Sequence, residues 1–116
     1  MKLITASSYI RFLQSLDSLD RMGLDRKLDA TEGRLLDQIA LDCADGRELL
    51  VGDLLKLHEV GSQATLHGRI KNLATLGYIK LVEVRGDKRK KLVVPTAKSS
   101  KRYEILSSLM IKAVQN

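Results

Sequence analysis

Two groups of side chains in this chain are of types that bind rather than react. The first is the run Arg85-Gly-Asp-Lys-Arg-Lys-Lys91, in which Arg85, Lys88, Arg89, Lys90 and Lys91 surround a Gly86-Asp87 turn signal. The second comprises Ser62, Gln63, Ala64, Thr65, His67, Arg69 and Lys71, polar or small residues set between the apolar positions Leu66, Ile70 and Leu73. Cationic groups in the first favour phosphate oxygens, whereas amide, hydroxyl and methyl groups in the second can meet base edges. Together they suggest recognition of a polyanion, and a helix beside a basic hairpin suits duplex DNA. Charge segregates along the chain in the same sense. Residues 17–59 carry 11 acidic and 6 basic side chains, a net of −5, while residues 60–102 carry 11 basic and 2 acidic, a net of +9. The plain alternative for both groups is a solvated surface without a partner.

The individual roles follow from side-chain chemistry. Gln63 can contact adenine, the Thr65 methyl can meet a thymine methyl, and Lys71 suits a phosphate position. His67 is balanced between contact and ordinary exposure. The free amides of a helix that begins near Ser62 add affinity for phosphate oxygen. In the basic run, the cations around a tight turn can reach the backbone and the minor groove. Asp87 is ill suited to phosphate and is expected to shape the turn and pair with Arg89. Because strand side chains alternate, Lys90 and Lys91 cannot share one face.

These groups require positioning elements, and hydrophobic periodicity supplies them. Residues 5–22 read as a first helix, capped by Thr5 or Ser7 and stopped by Gly23, with Ile10, Leu13, Leu16 and Leu19 recurring. Asp29 and Glu32 match a capping box that opens a second helix with Leu35, Leu36, Ile39, Ala40 and Cys43 on its stripe, ending before Asp45-Gly46. Leu49-Leu50-Val51 reads as a minor strand, followed from Gly52-Asp53 by a helix of about two turns with Leu54, Leu55 and Leu57 inward. Gly61 breaks it, and Ser62 caps a helix to Thr75 that closes at Gly77. Residues 52–76 thus form a helix-turn-helix.

The period then changes to that of a hairpin: residues 79–94 form a wing whose arms carry Ile79, Leu81, Val82 and Val84, then Leu92 and Val94, before Pro95. Thr96 caps a last helix over 96–114, with Ile105, Leu106, Leu109, Met110 and Val114 on one face. The expected fold is mainly α with a small β-wing (α+β), a winged helix-turn-helix in the order α-α-β-α-α-β-β-α within one domain, 1–116.

Composition narrows the function classes. The only aromatics are Tyr9, Phe12, Tyr78 and Tyr103, which disfavours a stacking platform for single strands. No apolar run approaches the roughly 20 residues needed to span a bilayer, and no secretory segment is read, so a cytoplasmic protein without a membrane partner is expected. The single cysteine, Cys43, is expected as a reduced core thiol rather than a redox sensor, and with His58 and His67 it makes no metal-ligand cluster. The order of acidic and histidine residues suggests no catalytic pair, and there is no glycine-rich phosphate loop, so neither enzyme nor cofactor is expected.

Several pieces in order resemble the MarR-type (multiple-antibiotic-resistance) winged-helix regulators across residues 28–102. They are Asp29-Ala-Thr-Glu32, Val51-Gly-Asp-Leu54, Ser62-Gln-Ala-Thr-Leu66, Leu73-x-x-x-Gly77-Tyr-Ile79, Asp87-Lys-Arg89 and Leu92-Val-Val-Pro-Thr96-Ala-Lys98. The resemblance implies a homodimer that binds palindromic double-stranded DNA, with the Ser62–Thr75 helix as reader and 79–94 as wing, acting as a transcriptional regulator and more as repressor than activator. A small-molecule or oxidant effector is left open. Two departures stand out: Gly68 occupies a position where members often carry a basic residue, and the outer helices framing the usual ligand pocket are abbreviated. Those outer helices are expected to pair between subunits through Leu13, Leu16, Leu106, Leu109 and Met110, or else to close the monomer's own core. The rival readings are a winged helix for protein–protein assembly, a nonspecific DNA-associated protein, and an RNA binder.

Overall fold

The computed structural model describes residues 7–22 and 27–115. The elements are α1 (Ser8–Met22), α2 (Ala30–Ala44), α3 (Val51–Leu54), α4 (Gln63–Thr75), β1 (Ile79–Val84), β2 (Asp87–Pro95) and α5 (Ala97–Val114). Where the sequence reading takes one domain, the chain divides into two compact units. One spans Leu28–Ser99; the other comprises the described residues before Leu28 and those from Ser100 onward. The expected Thr5 cap and Gly23 stop lie outside the described residues.

In the Leu28–Ser99 unit, the capping box at the start of α2 forms as its spacing predicts. Asp29 Oδ1 accepts the Glu32 backbone N–H at 2.7 Å, and Glu32 Oε1 accepts the Asp29 N–H at 3.0 Å. Leu35, Leu36 and Ile39 of α2 and Leu66, Ile70 and Leu73 of α4 are buried where these two helices pack. Each such side chain contributes about 1.5–3 kcal/mol on leaving water. Leu54 and Ile79 complete the same core.

Three local readings are corrected. Leu49-Leu50-Val51 is not a strand. It contributes one bridge, Leu50 to Leu92, beside a Val93 N–H donated to the Leu49 carbonyl, because Asp53 Oδ2 accepts the Leu50 N–H at 2.9 Å and turns the chain into α3. α3 starts at Val51 and makes a single turn rather than two. Beyond it, contacts such as Leu57 N–H to Leu54 carbonyl span three residues, the tighter spacing that ends an α-helix. Cys43 is exposed. The buried stripe of α2 drifts from Leu35 and Ile39 to Asp42, whose carboxylate is satisfied by Gln38 and Arg47, and leaves the thiol outside.

α4 begins at Ser62, whose Oγ accepts the Thr65 N–H at 3.2 Å. It closes at Gly77, with φ +87°, where the Tyr78 N–H reaches the Leu73 carbonyl and the Gly77 N–H reaches Ala74. That paired closure needs a left-handed residue and so selects glycine. Lys98 caps the same end by donating to the Leu76 carbonyl at 2.6 Å, its ammonium 4.6 Å from the Tyr78 ring centroid. Thr96 stands immediately before α5, but its hydroxyl donates to the Gly77 carbonyl at 2.6 Å, so it ties the wing's exit to the end of α4.

β1 and β2 form an antiparallel two-stranded sheet from Ile79↔Pro95 to Glu83↔Lys91, and the next pair is Val84↔Asp87. In the other unit, Ser7 Oγ accepts the Ile10 N–H at 3.2 Å at the start of α1. Arg11 of α1 donates from Nη2 to the Ala113 carbonyl at 2.7 Å, placing a cation at the C-terminal end of α5.

Candidate nucleic-acid interface

Burial of Leu66, Ile70 and Leu73 turns the opposite side of α4 outward. Ser62, Gln63, Ala64, Thr65, His67 and Lys71 are all exposed. Helical spacing runs Ala64, Gly68, Lys71 and Thr75 along the middle of that outward side, with Gln63 and His67 flanking it. A Cβ built at Gly68 would meet nothing within 4 Å, so the ridge there is bare backbone. Thr65 is held locally: its hydroxyl accepts from Ser62 at 2.9 Å, and its methyl lies 3.4 Å from where a Gly61 Cβ would stand. These contacts turn Thr65 toward the preceding turn, leaving Gln63, His67 and Lys71 as the longer outward groups.

Arg69 differs from the rest of the reader set. Its Nε lies 2.8 Å from Asp29 Oδ2, which draws the guanidinium back to the start of α2. Three positions on, the Asn72 amide donates to Glu32 Oε2 at 3.0 Å, and Glu32 is fully buried. Sequence reasoning found the Asp29–Glu32 capping box but not these ties to residues about 40 positions later, since nothing in local spacing encodes them.

The wing departs from a regular hairpin. Lys88, Arg89 and Lys90 fall between the Glu83↔Lys91 and Val84↔Asp87 pairs and are skipped by the register. Such a bulge kinks its strand and re-aims the side chains on it. The Arg85-Gly86 turn supports it, with Gly86 at φ +88°. Asp87 has the expected turn-shaping geometry: its Oδ1 accepts the Arg89 N–H at 3.0 Å and faces Arg89 Nε at 3.4 Å. Arg85, Lys88, Arg89 and Lys90 are exposed, and the Arg89 side chain is 93% accessible. Lys91 is half-buried, its ammonium 3.9 Å from its cross-strand partner Glu83, whereas Lys90 is exposed.

In the unit that includes α1, Leu13 and Met110 are exposed, whereas Leu16, Leu106 and Leu109 are half-buried. Tyr9, Ile111 and Val114 are large exposed apolar residues there that were not among the expected contact residues. Of these three, Val114 belongs to the apolar face expected for the last helix. An open cleft of about 220 Å³, lined by Ile39, Cys43, Leu49, Leu92 and Pro95 among others, lies in the Leu28–Ser99 unit. Among the described residues, no group of three or more His, Cys, Asp and Glu is placed to hold a metal, and no helix is long and apolar enough to cross a membrane.

The sequence matches no protein-family model and no curated protein. Among solved structures, the chain is similar to a MarR protein from Peptoclostridium difficile at 20% identity. The match covers 98% of this chain and 75% of that one, with a TM-score of 0.57. It is also similar to the disulfide-formed structure of AbfR at 18% identity, covering 97% of this chain and 74% of that one, with a TM-score of 0.59. These likenesses establish the fold: a mainly helical, winged helix-turn-helix chain with a two-stranded antiparallel wing.

Proposed function

We propose that the protein is a MarR-type transcriptional regulator, without enzymatic activity, that binds double-stranded DNA sequence-specifically. The observation that carries this reading is the pairing, in one compact unit, of an outward polar face on α4 with the bulged basic triplet Lys88–Arg89–Lys90. α4 supplies base-edge chemistry through Gln63 and His67 and a phosphate contact through Lys71. The wing supplies phosphate and minor-groove contacts through Arg85, Lys88, Arg89 and Lys90. The protein acts in the cytoplasm as a homodimer on a palindromic operator, repressing by occlusion. The exposed Tyr9, Leu13, Met110, Ile111 and Val114 favour that assembly, because apolar side chains of this size gain by leaving water against a second copy.

A second reading, protein–protein assembly, is favoured by one observation: Leu41, Val82 and Val94 are exposed apolar residues within the Leu28–Ser99 unit itself. Selection from random-sequence duplexes, followed by titration of the enriched site against salt, separates the two. An enriched palindrome with half-sites about ten base pairs apart supports the operator reading. Binding without enrichment but with steep salt dependence reduces it to nonspecific association. Absence of binding at low salt puts protein–protein assembly first.

A further inference from the structure

The capping box of α2 has a geometry that exceeds its local task. Capping uses one oxygen of each carboxylate: Asp29 Oδ1 for the Glu32 N–H and Glu32 Oε1 for the Asp29 N–H. The second oxygen of each is directed at α4. Asp29 Oδ2 faces Arg69 Nε at 2.8 Å, and Glu32 Oε2 accepts from the Asn72 amide at 3.0 Å. The N-cap Asp29 and Glu32 of α2 have the same three-residue separation as Arg69 and Asn72 of α4, so an ion pair and a hydrogen bond join the two helices at neighbouring turns.

Apolar packing between α2 and α4 is non-directional and tolerates a range of helix orientations. A hydrogen bond to a buried carboxylate is directional and penalises rotation, because turning α4 would carry the Asn72 amide out of line with Glu32 Oε2. We infer that Glu32 and Asn72, with Asp29 and Arg69 beside them, are positioning residues that set the rotation of α4 about its axis and so decide which of its outward side chains face the groove. The inference rests on the reading of α4 as the DNA reader. It assigns Arg69 to positioning and removes it from the DNA-contacting set of α4.

The test compares Asn72→Leu, Asn72→Asp and the exchange Glu32→Gln with Asn72→Asp. Asn72→Leu removes the donor, and Asn72→Asp sets one carboxylate against another. The exchange restores a hydrogen bond of reversed polarity, from the Gln amide to the Asp carboxylate, with the net charge of the wild type. Affinities for the enriched duplex and for random duplex are measured over a range of salt, with amide spectra of α4 recorded without DNA and folding checked by thermal melts.

In the folded variants, Asn72→Leu is expected to lower the ratio of specific to random affinity by about tenfold with the salt slope unchanged. The Gln63–Lys71 amides shift in both single variants, and the exchange restores the ratio and the spectrum. Equal losses on both duplexes, or an unchanged ratio with unmoved amides, would overturn the positioning role. If the wild-type protein shows no sequence preference, the regulator reading fails by itself. The DNA-free spectra then decide positioning: shifts that the exchange reverses support it, and unmoved amides overturn it.

Discussion

At the residue scale, the proposed interface separates into side chains that position the protein and side chains that read. Arg89 is 93% accessible, and its backbone N–H is held by Asp87, so its exposed charge is presented on a shaped turn. Arg89→Ala is expected to weaken binding to specific and random duplex and to lower the salt slope by about one unit. Titrations on both duplexes check this; an equal loss at every salt concentration would remove Arg89 from the phosphate contacts. Gln63, exposed in the first turn of α4, belongs to the reading class. Gln63→Ala should relax sequence preference by about 1–3 kcal/mol at one base position and leave affinity for random duplex nearly unchanged. Repeating the selection with the variant decides the matter, since an identical preference profile excludes Gln63 as a reader.

At the element scale, the two glycines of the reader region have opposite consequences. Gly77 ends α4 at φ +87°, a conformation that costs an L-residue about 1–2 kcal/mol, so Gly77→Ala should destabilise the protein by that amount. Gly68 sits within α4 with nothing within 4 Å of where its Cβ would lie. Gly68→Ala should therefore stabilise the fold by about 0.5–1 kcal/mol, the helix-interior difference between the two residues. Urea unfolding of the pair measures both signs in one series. The capping box at Asp29 and Glu32, the Ser62 cap and the Gly77 closure were legible because each depends on residues a few positions apart. The wing bulge was not. Alternation marked both arms, but it could not show that Lys88, Arg89 and Lys90 are skipped by the register.

At the scale of the whole molecule, the exposed apolar residues of α1 and α5 carry the proposed assembly. Met110 is 57% exposed and Val114 66%, one helical turn apart on α5. Met110→Lys with Val114→Asp should shift a dimer toward monomer with little loss of monomer stability, because neither side chain is buried in the single chain. Sedimentation over a concentration range measures that shift. Affinity for a palindromic site should fall with it, whereas affinity for random duplex at matched monomer concentration should change much less, since two readers are then no longer linked. An unchanged mass would move the contact away from these residues.

The sequence by itself determined the local architecture: the change of period from helix to hairpin, the caps at Asp29 and Ser62, the left-handed closure at Gly77 and the concentration of positive charge in residues 60–102. These features arise from backbone conformation and from neighbours within one or two turns, so spacing alone expresses them. Tertiary structure decided the rest. It exposed Cys43 because the α2 stripe drifts to Asp42, and it ended α3 after one turn, where bonds such as Leu57 N–H to Leu54 carbonyl span only three residues. It also withdrew Arg69 to Asp29 and joined Asn72 to Glu32 across 40 positions. A carboxylate with two oxygens can serve its own helix with one and a distant helix with the other, and only the folded chain selects the second partner.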